Sequence, residues 1–125
     1  MHGTHLTAEL HACAAGALLS EPEALRALCR RAVADAGLTS VGEVFHQFSP
    51  GGGVTGVILL AESHLAVHTW PELGAATLDV YVCNLSADNS ARAERVVDAL
   101  EAAFAPRRRQ RQRLERGVPG RPDAD

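Results

Sequence analysis

Residues 54–70 read VTGVILLAESHLAVHTW, and the way this stretch folds decides the rest of the chain. VTGVILL is apolar and β-branched, the composition of a strand built into a sheet. HLAVHTW follows almost at once and alternates. His64, Ala66 and His68 share one face, while Ser63, Leu65 and Val67 share the other. Two strands therefore stand in immediate succession. The second is unusually rich in chemistry, because Glu62, Ser63, His64, His68, Trp70 and Glu72 all fall within a dozen residues.

The neighboring segments extend the pattern. AATLDVYVCN, residues 75–84, puts Ala76, Leu78, Val80 and Val82 on one face and Thr77, Asp79, Tyr81 and Cys83 on the other. ADNSARAERVVDALEAAFA repeats apolar residues at helical spacing and predicts a helix over 90–104, opened by Asn89 or Ser90. On the N-terminal side, SVGEVFHQF reads as a strand with Val41, Glu43, Phe45 and Gln47 on one side. SPGGG, residues 49–53, is a turn or flexible loop, since three consecutive glycines lose too much entropy inside a regular element. Ser20 and the following EPEALRALCRRAVADAG supply a capping residue, first-turn acids and a terminal Gly37, which predicts an amphipathic helix over 21–36. THLTAELHAC alternates with Leu6, Ala8 and Leu10 on one face. The order β-α-β-β-β-β-α favors an α+β two-layer sandwich, an antiparallel sheet with two helices on one face.

At 125 residues and 46% hydrophobic composition the chain is one domain with a core of its own. No run is long and apolar enough to span a bilayer, and MHGTHLTAEL lacks the order of a signal peptide, so no membrane contact and a cytoplasmic location are expected. Cys13, Cys29 and Cys83 are odd in number and widely spaced, which suggests neither a disulfide framework nor a metal knuckle. Residues 106–125 hold seven arginines against Glu115, Asp123 and Asp125, a surplus of four positive charges; residues 1–105 carry seven negative, leaving the net −3. PRRRQRQRLERG has no apolar period, so the domain is expected to end near residue 105, followed by a flexible, solvated Arg-rich tail over 106–125. Nucleic-acid contact is the less favored reading of that tail. All twelve basic residues are arginine, and the chain has no lysine.

Taken singly, a serine or histidine in a strand is usually a satisfied structural group. His64 and His68 on one face, with Cys83 on a neighboring strand, have the donor types of a zinc site but lack an evident fourth ligand. Taken together the residues are more specific. ESHLAVHTWPE, preceded by FHQFSPGGGVTGVILLA and followed by AATLDVYVCN, resembles the prokaryotic S-adenosylmethionine decarboxylases, small self-processing enzymes that carry a pyruvoyl group. The resemblance runs from about His5 through the helix over 90–104.

The resemblance implies cleavage between Glu62 and Ser63, giving a β chain of residues 1–62 and an α chain that starts at 63. The Ser63 hydroxyl attacks the preceding carbonyl, a base removes the Ser63 α-proton, and elimination leaves residue 63 as the pyruvoyl cap. His68 matches the processing base, Thr55 the hydroxyl that assists processing (usually serine in the family), and Cys83 the acid that returns a proton after carbon dioxide leaves. Phe48 matches an aromatic that stacks on adenine, Glu72 the acceptor for ribose hydroxyls, and Trp70 lines the same region. A homodimer of processed αβ protomers is implied, with S-adenosylmethionine as the small-molecule substrate and spermidine synthesis as the use of its product. Pyridoxal phosphate enzymes hold their electron sink on a lysine, so the absence of lysine closes that route within the chain and is compatible with a pyruvoyl carbonyl. No metal is expected.

Two departures bear on the substrate. The family loop is usually one residue shorter than PGGGVTG, and Ala61 stands where a serine is usual. A pyruvoyl-dependent arginine or ornithine decarboxylase on the same scaffold is the alternative, in which Glu43, Glu72 or Asp79 would meet a distal cation. A non-catalytic metal or nucleic-acid binding module is a rival of another class, and it predicts an uncut chain.

Overall fold

The computed structural model of the chain describes residues 1–85 and 87–118. In chain order the elements are β1 (His2–Cys13), α1 (Gly16–Ser20), α2 (Pro22–Asp35), β2 (Ser40–Gln47), β3 (Val54–Leu60) and β4 (Ser63–Trp70). A 3-10 turn (Pro71–Leu73), β5 (Ala75–Cys83), α3 (Ser90–Phe104) and β6 (Pro106–Gly117) follow. The strands form one antiparallel sheet in the order β2-β3-β4-β5-β1-β6. β3 and β4 are a hairpin in which Leu60 pairs with Ser63, so only Ala61 and Glu62 make the turn.

The period-2 alternation sorts the sheet into two unlike faces. Leu6, Ala8, Leu10, Val54, Ile58, Leu65, Val67, Leu78 and Val80 are buried on one face. Leu25, Cys29 and Val33 of α2, and Val96, Val97, Leu100 and Phe104 of α3, cover it. Each large aliphatic or aromatic side chain sealed in this layer contributes about 1.5–3 kcal/mol. The opposite face carries Thr55, His64, His68, Asp79, Tyr81 and Cys83, half-buried and, among the described residues, without a helix over them. The α+β two-layer expectation holds, and the chemistry lies on the open side.

Three local differences have physical causes. The helix expected over 21–36 is α2, and an unexpected short helix, α1, precedes it; Pro22 has no N–H to continue α1 and instead opens α2 at its first turn. Ser20 closes α1 rather than capping α2. The tail expected to be solvated is a sixth strand over residues 106–117, paired with β1 from His2–Gly117 to Cys13–Pro106. Its helix-side face lacks an apolar period because the residues there are arginines that meet acids of α3. Arg111 reaches Glu94 at 2.8 Å and Asp98 at 2.7 Å, and Arg109 reaches Glu101 at 2.9 Å. Much of the basic charge is thus neutralized within the domain rather than presented to a polyanion. The rest of the expected tail, residues 119–125, lies outside the described residues.

Candidate active site

The open face holds two clusters, at opposite ends of β4. The first is a cleft of about 480 Å³ lined by Phe48, Thr55, His68, Trp70 and Glu72, with Gly52 and Gly53 at its edge. Thr55 and His68 are register partners on adjacent strands, and Thr55 Oγ1 lies 3.2 Å from His68 Nδ1. The SPGGG turn brings Phe48 to this place: Phe48 N–H donates to the Gly53 carbonyl at 3.0 Å, and Gly51 takes φ +74°, a conformation that suits glycine. Gly53 packs so close to the Thr69 carbonyl that a Cβ has no room. Phe48 is 67% exposed and Trp70 38%, so both rings offer free faces to the cleft. The His68 and Trp70 rings lie 6.3 Å apart. Glu72 follows on the 3-10 turn and is exposed.

The second cluster surrounds the Glu62–Ser63 peptide. Ser63 has φ +151°, a value that L residues rarely adopt. A non-glycine residue held in such a region stores of order 1–3 kcal/mol and persists only where its surroundings enforce it. Here the enforcement is visible on both sides of the turn. Ala61 N–H donates to the Thr39 carbonyl at 2.8 Å, and Glu62 Oε1 accepts from Thr39 N–H at 3.2 Å. The Glu62 carbonyl accepts from the Cys83 backbone N–H at 2.7 Å, so the bond expected to break already has its oxygen on a donor. Cys83 is fixed in turn by Asn89, whose side-chain amide donates to the Cys83 carbonyl at 2.9 Å. Ser63 Oγ lies 3.4 Å from His64 Nδ1.

The structure therefore brings Phe48, Thr55, His68, Trp70 and Glu72 together, brings Glu62, Ser63 and Cys83 together, and keeps the two sets apart. Ser63 and His68 are five steps apart on one strand, roughly 16 Å at the ordinary rise of an extended chain. His64 and His68 are four steps apart, roughly 13 Å, and cannot share one metal ion. Among the described residues no group of three or more His, Cys, Asp or Glu is arranged to hold a metal. Glu43 is on the helix side of the sheet, bound to Arg30 and 3.7 Å from Arg26, and does not reach the cleft. Asp79 faces His5 at 3.6 Å, in the second cluster. Of the three carboxylates considered for a distal cation, Glu72 alone lines the cleft.

Sequence reading weighed His64 only as a metal ligand, and it missed the group around that ring. His64 lies 5.9 Å from the Tyr81 ring, His5 lies 5.7 Å from Tyr81, and Arg116 donates to His5 Nδ1 at 3.2 Å. Burial lowers the His64 pKa below the ordinary imidazole value, His5 lowers it further, and Asp79 opposes both. The signal in the sequence was its position, directly after the serine of the expected cleavage pair.

Comparison with known proteins extends the match over most of the chain. Residues 4–117 match the S-adenosylmethionine decarboxylase family. A protein of Aquifex aeolicus named S-adenosylmethionine decarboxylase proenzyme is 40% identical over 93% of this chain and 82% of its own length. A protein of the same name from Archaeoglobus fulgidus is 36% identical over 92% of this chain and 97% of its own. The crystal structure of the adenosylmethionine decarboxylase from Aquifex aeolicus superposes with a TM-score of 0.84 at 38% identity, covering 94% of this chain and 92% of that one. The match reaches residue 117, so it takes in β6 and carries the domain past the boundary expected at 105. The chain belongs to the S-adenosylmethionine decarboxylase family.

Proposed function

We propose that the protein cuts itself between Glu62 and Ser63 and that the product is a pyruvoyl-dependent decarboxylase of S-adenosylmethionine. The observation that carries the reading is the Glu62–Ser63 peptide itself. It combines a strained serine, at φ +151°, with a carbonyl already bound to the Cys83 amide at 2.7 Å. Attack by Ser63 Oγ on the Glu62 carbonyl carbon relieves the strain, and the Cys83 N–H stabilizes the charge that builds on the oxygen. The C–N bond then breaks and an ester remains. Removal of the Ser63 α-proton expels the Glu62 carboxylate by β-elimination; tautomerization and hydrolysis release ammonia and leave a pyruvoyl N-terminus at residue 63.

His68 is the base for that α-proton, but not within its own chain, where it lies roughly 16 Å away. A symmetric dimer resolves this. In a twofold interface residue i meets j and j meets i, so two chains pairing through their open faces bring Thr55 and His68 of each to Ser63 and Cys83 of the other. The open face has the surface for it, with Val44 65%, Leu59 51% and Leu114 45% exposed. Each dimer then contains two complete sites.

The pyruvoyl group supplies a carbonyl that takes up the substrate amine and draws electrons from the bond to the departing carboxylate. The rest is the work of side chains. Phe48 and Trp70 stack on the adenine, Glu72 accepts hydrogen bonds from the ribose hydroxyls, and Cys83 returns a proton to the substrate carbon. The decarboxylated product is the aminopropyl donor for spermidine synthesis.

Denaturing mass measurement of the purified protein tests the processing. Two fragments meeting at Glu62–Ser63, the second blocked by a carbonyl, are expected, and Ser63→Ala should stay whole. A wild-type chain that remains uncut and carries no carbonyl overturns the reading. Release of labeled carbon dioxide from carboxyl-labeled S-adenosylmethionine tests the substrate, and cut protein that releases none removes it.

A further inference from the structure

We propose that His64 is the general base of the first processing step, the one that takes the proton from Ser63 Oγ and hands it to the departing nitrogen. The inference rests on the self-cleavage proposed above and deepens it. His68 has a task in elimination, yet it is remote from Ser63 in the chain and acts on a different proton. The imidazole within reach of the attacking atom is His64, with Nδ1 3.4 Å from Ser63 Oγ. Catalytic hydrogen bonds are often this loose before the reacting geometry closes.

The step balances without an outside reagent. The Oγ–H proton passes to His64 Nδ1 as the bond from Oγ to the Glu62 carbon forms. The Cys83 amide, 2.7 Å from the Glu62 oxygen, holds the oxyanion. When the C–N bond breaks, the imidazolium gives its proton to the Ser63 nitrogen, and His64 is neutral again beside an ester and a free amine.

The surroundings suit a base. Toward His64 face His5 of β1 and Asp79 and Tyr81 of β5. Arg116 of β6 stands over the Tyr81 ring at 5.3 Å, and on β3 the register partner is the uncharged Leu59. Burial is the first cause of the depressed pKa, with His5 adding to it and Asp79 opposing. A lowered value leaves the ring unprotonated at neutral pH, where it can accept. The rate of the first step should therefore rise as pH climbs through the His64 pKa and then level off.

The experiment follows freshly synthesized proenzyme by mass, with and without hydroxylamine, which cleaves esters. His64→Ala and His64→Asn should split about 10²–10⁴-fold more slowly than wild type, the usual contribution of a general base, and neither should be cleaved by hydroxylamine. Added imidazole should partly restore His64→Ala. His68→Ala, by contrast, should collect as a hydroxylamine-sensitive ester. The inference is overturned if folded His64 variants split at the wild-type rate or stall at the ester as His68→Ala does. If both variants fail to fold, the wild-type profile decides, and a first-step rate that does not fall as the pH is lowered from about 8 to the acid limit of the fold overturns it. A wild-type chain that never splits condemns the self-cleavage reading instead.

Discussion

Two inactive variants should repair each other. Ser63→Ala has no hydroxyl for attack, and His68→Ala has no base for elimination, so each stays uncut when made alone. The spacing on β4 makes their mixture informative. Five residues at about 3.3 Å each separate Ser63 from His68 by roughly 16 Å, while a proton-transfer pair must approach to about 3 Å. In a mixed dimer one site joins the intact Ser63 of the His68→Ala chain to the intact His68 of the Ser63→Ala chain. The other joins two alanines. Random association makes about half of all dimers mixed, so about half of the His68→Ala chains, and none of the Ser63→Ala chains, should be cut. Co-synthesis of the two variants with tags of different mass, followed by denaturing electrophoresis, gives the count directly. Verified mixed dimers that remain uncut would refute the shared site, as would His68→Ala cutting itself at the wild-type rate.

Substrate contacts and the ion-paired strand give further expectations. Phe48→Ala should weaken S-adenosylmethionine binding by roughly 1–3 kcal/mol, the worth of one base–aromatic stack, without slowing self-cleavage. Glu72→Gln should raise KM for the same substrate; steady-state carbon dioxide release reads both, and unchanged KM in either variant rejects that residue's role. Arg111→Ala should lower stability by about 1 kcal/mol, because it takes the guanidinium from Asp98 and leaves Glu94 only Arg113 at 3.9 Å. Urea unfolding should show the loss shrinking in high salt, and an unchanged midpoint would count against the ion-pair account of β6.

The alternation of Leu6, Ala8 and Leu10, or of Leu78, Val80 and Val82, made the core strands readable because one face of each meets oil and the other water. β6 escaped that test. Its helix-side positions are Arg109, Arg111 and Arg113, and what makes them suitable there is Glu94, Asp98 and Glu101, which belong to another element. No local period records a remote partner. α1 was missed for a different reason, since five residues are too few to establish a helical repeat. The cleft residues were legible because Thr55, His68, Trp70 and Glu72 crowd into two adjacent strands and one turn. Glu43 was misjudged because Val41, Val44 and Phe45 put apolar residues on both faces of this edge strand, so the alternation does not announce which face α2 covers. The Cys83 amide on the Glu62 oxygen was invisible, as a backbone contact leaves no mark on residue type.

The order in which the strands lie has a consequence for the cut protein. A break after Glu62 puts β1, β2 and β3 on one fragment and β4, β5 and β6 on the other. In the sheet order β2-β3-β4-β5-β1-β6, three of the five neighboring pairs then join different polypeptides. β1 is woven between two strands of the other piece, like a finger in a clasped hand. Maturation would therefore leave the shape intact while converting an intramolecular fold into a two-chain weave. Such a protein remembers having been one chain: once unraveled, its halves must find each other in solution, so recovery after denaturation should fall with dilution, whereas an uncut Ser63→Ala chain should refold its own protomer at any concentration.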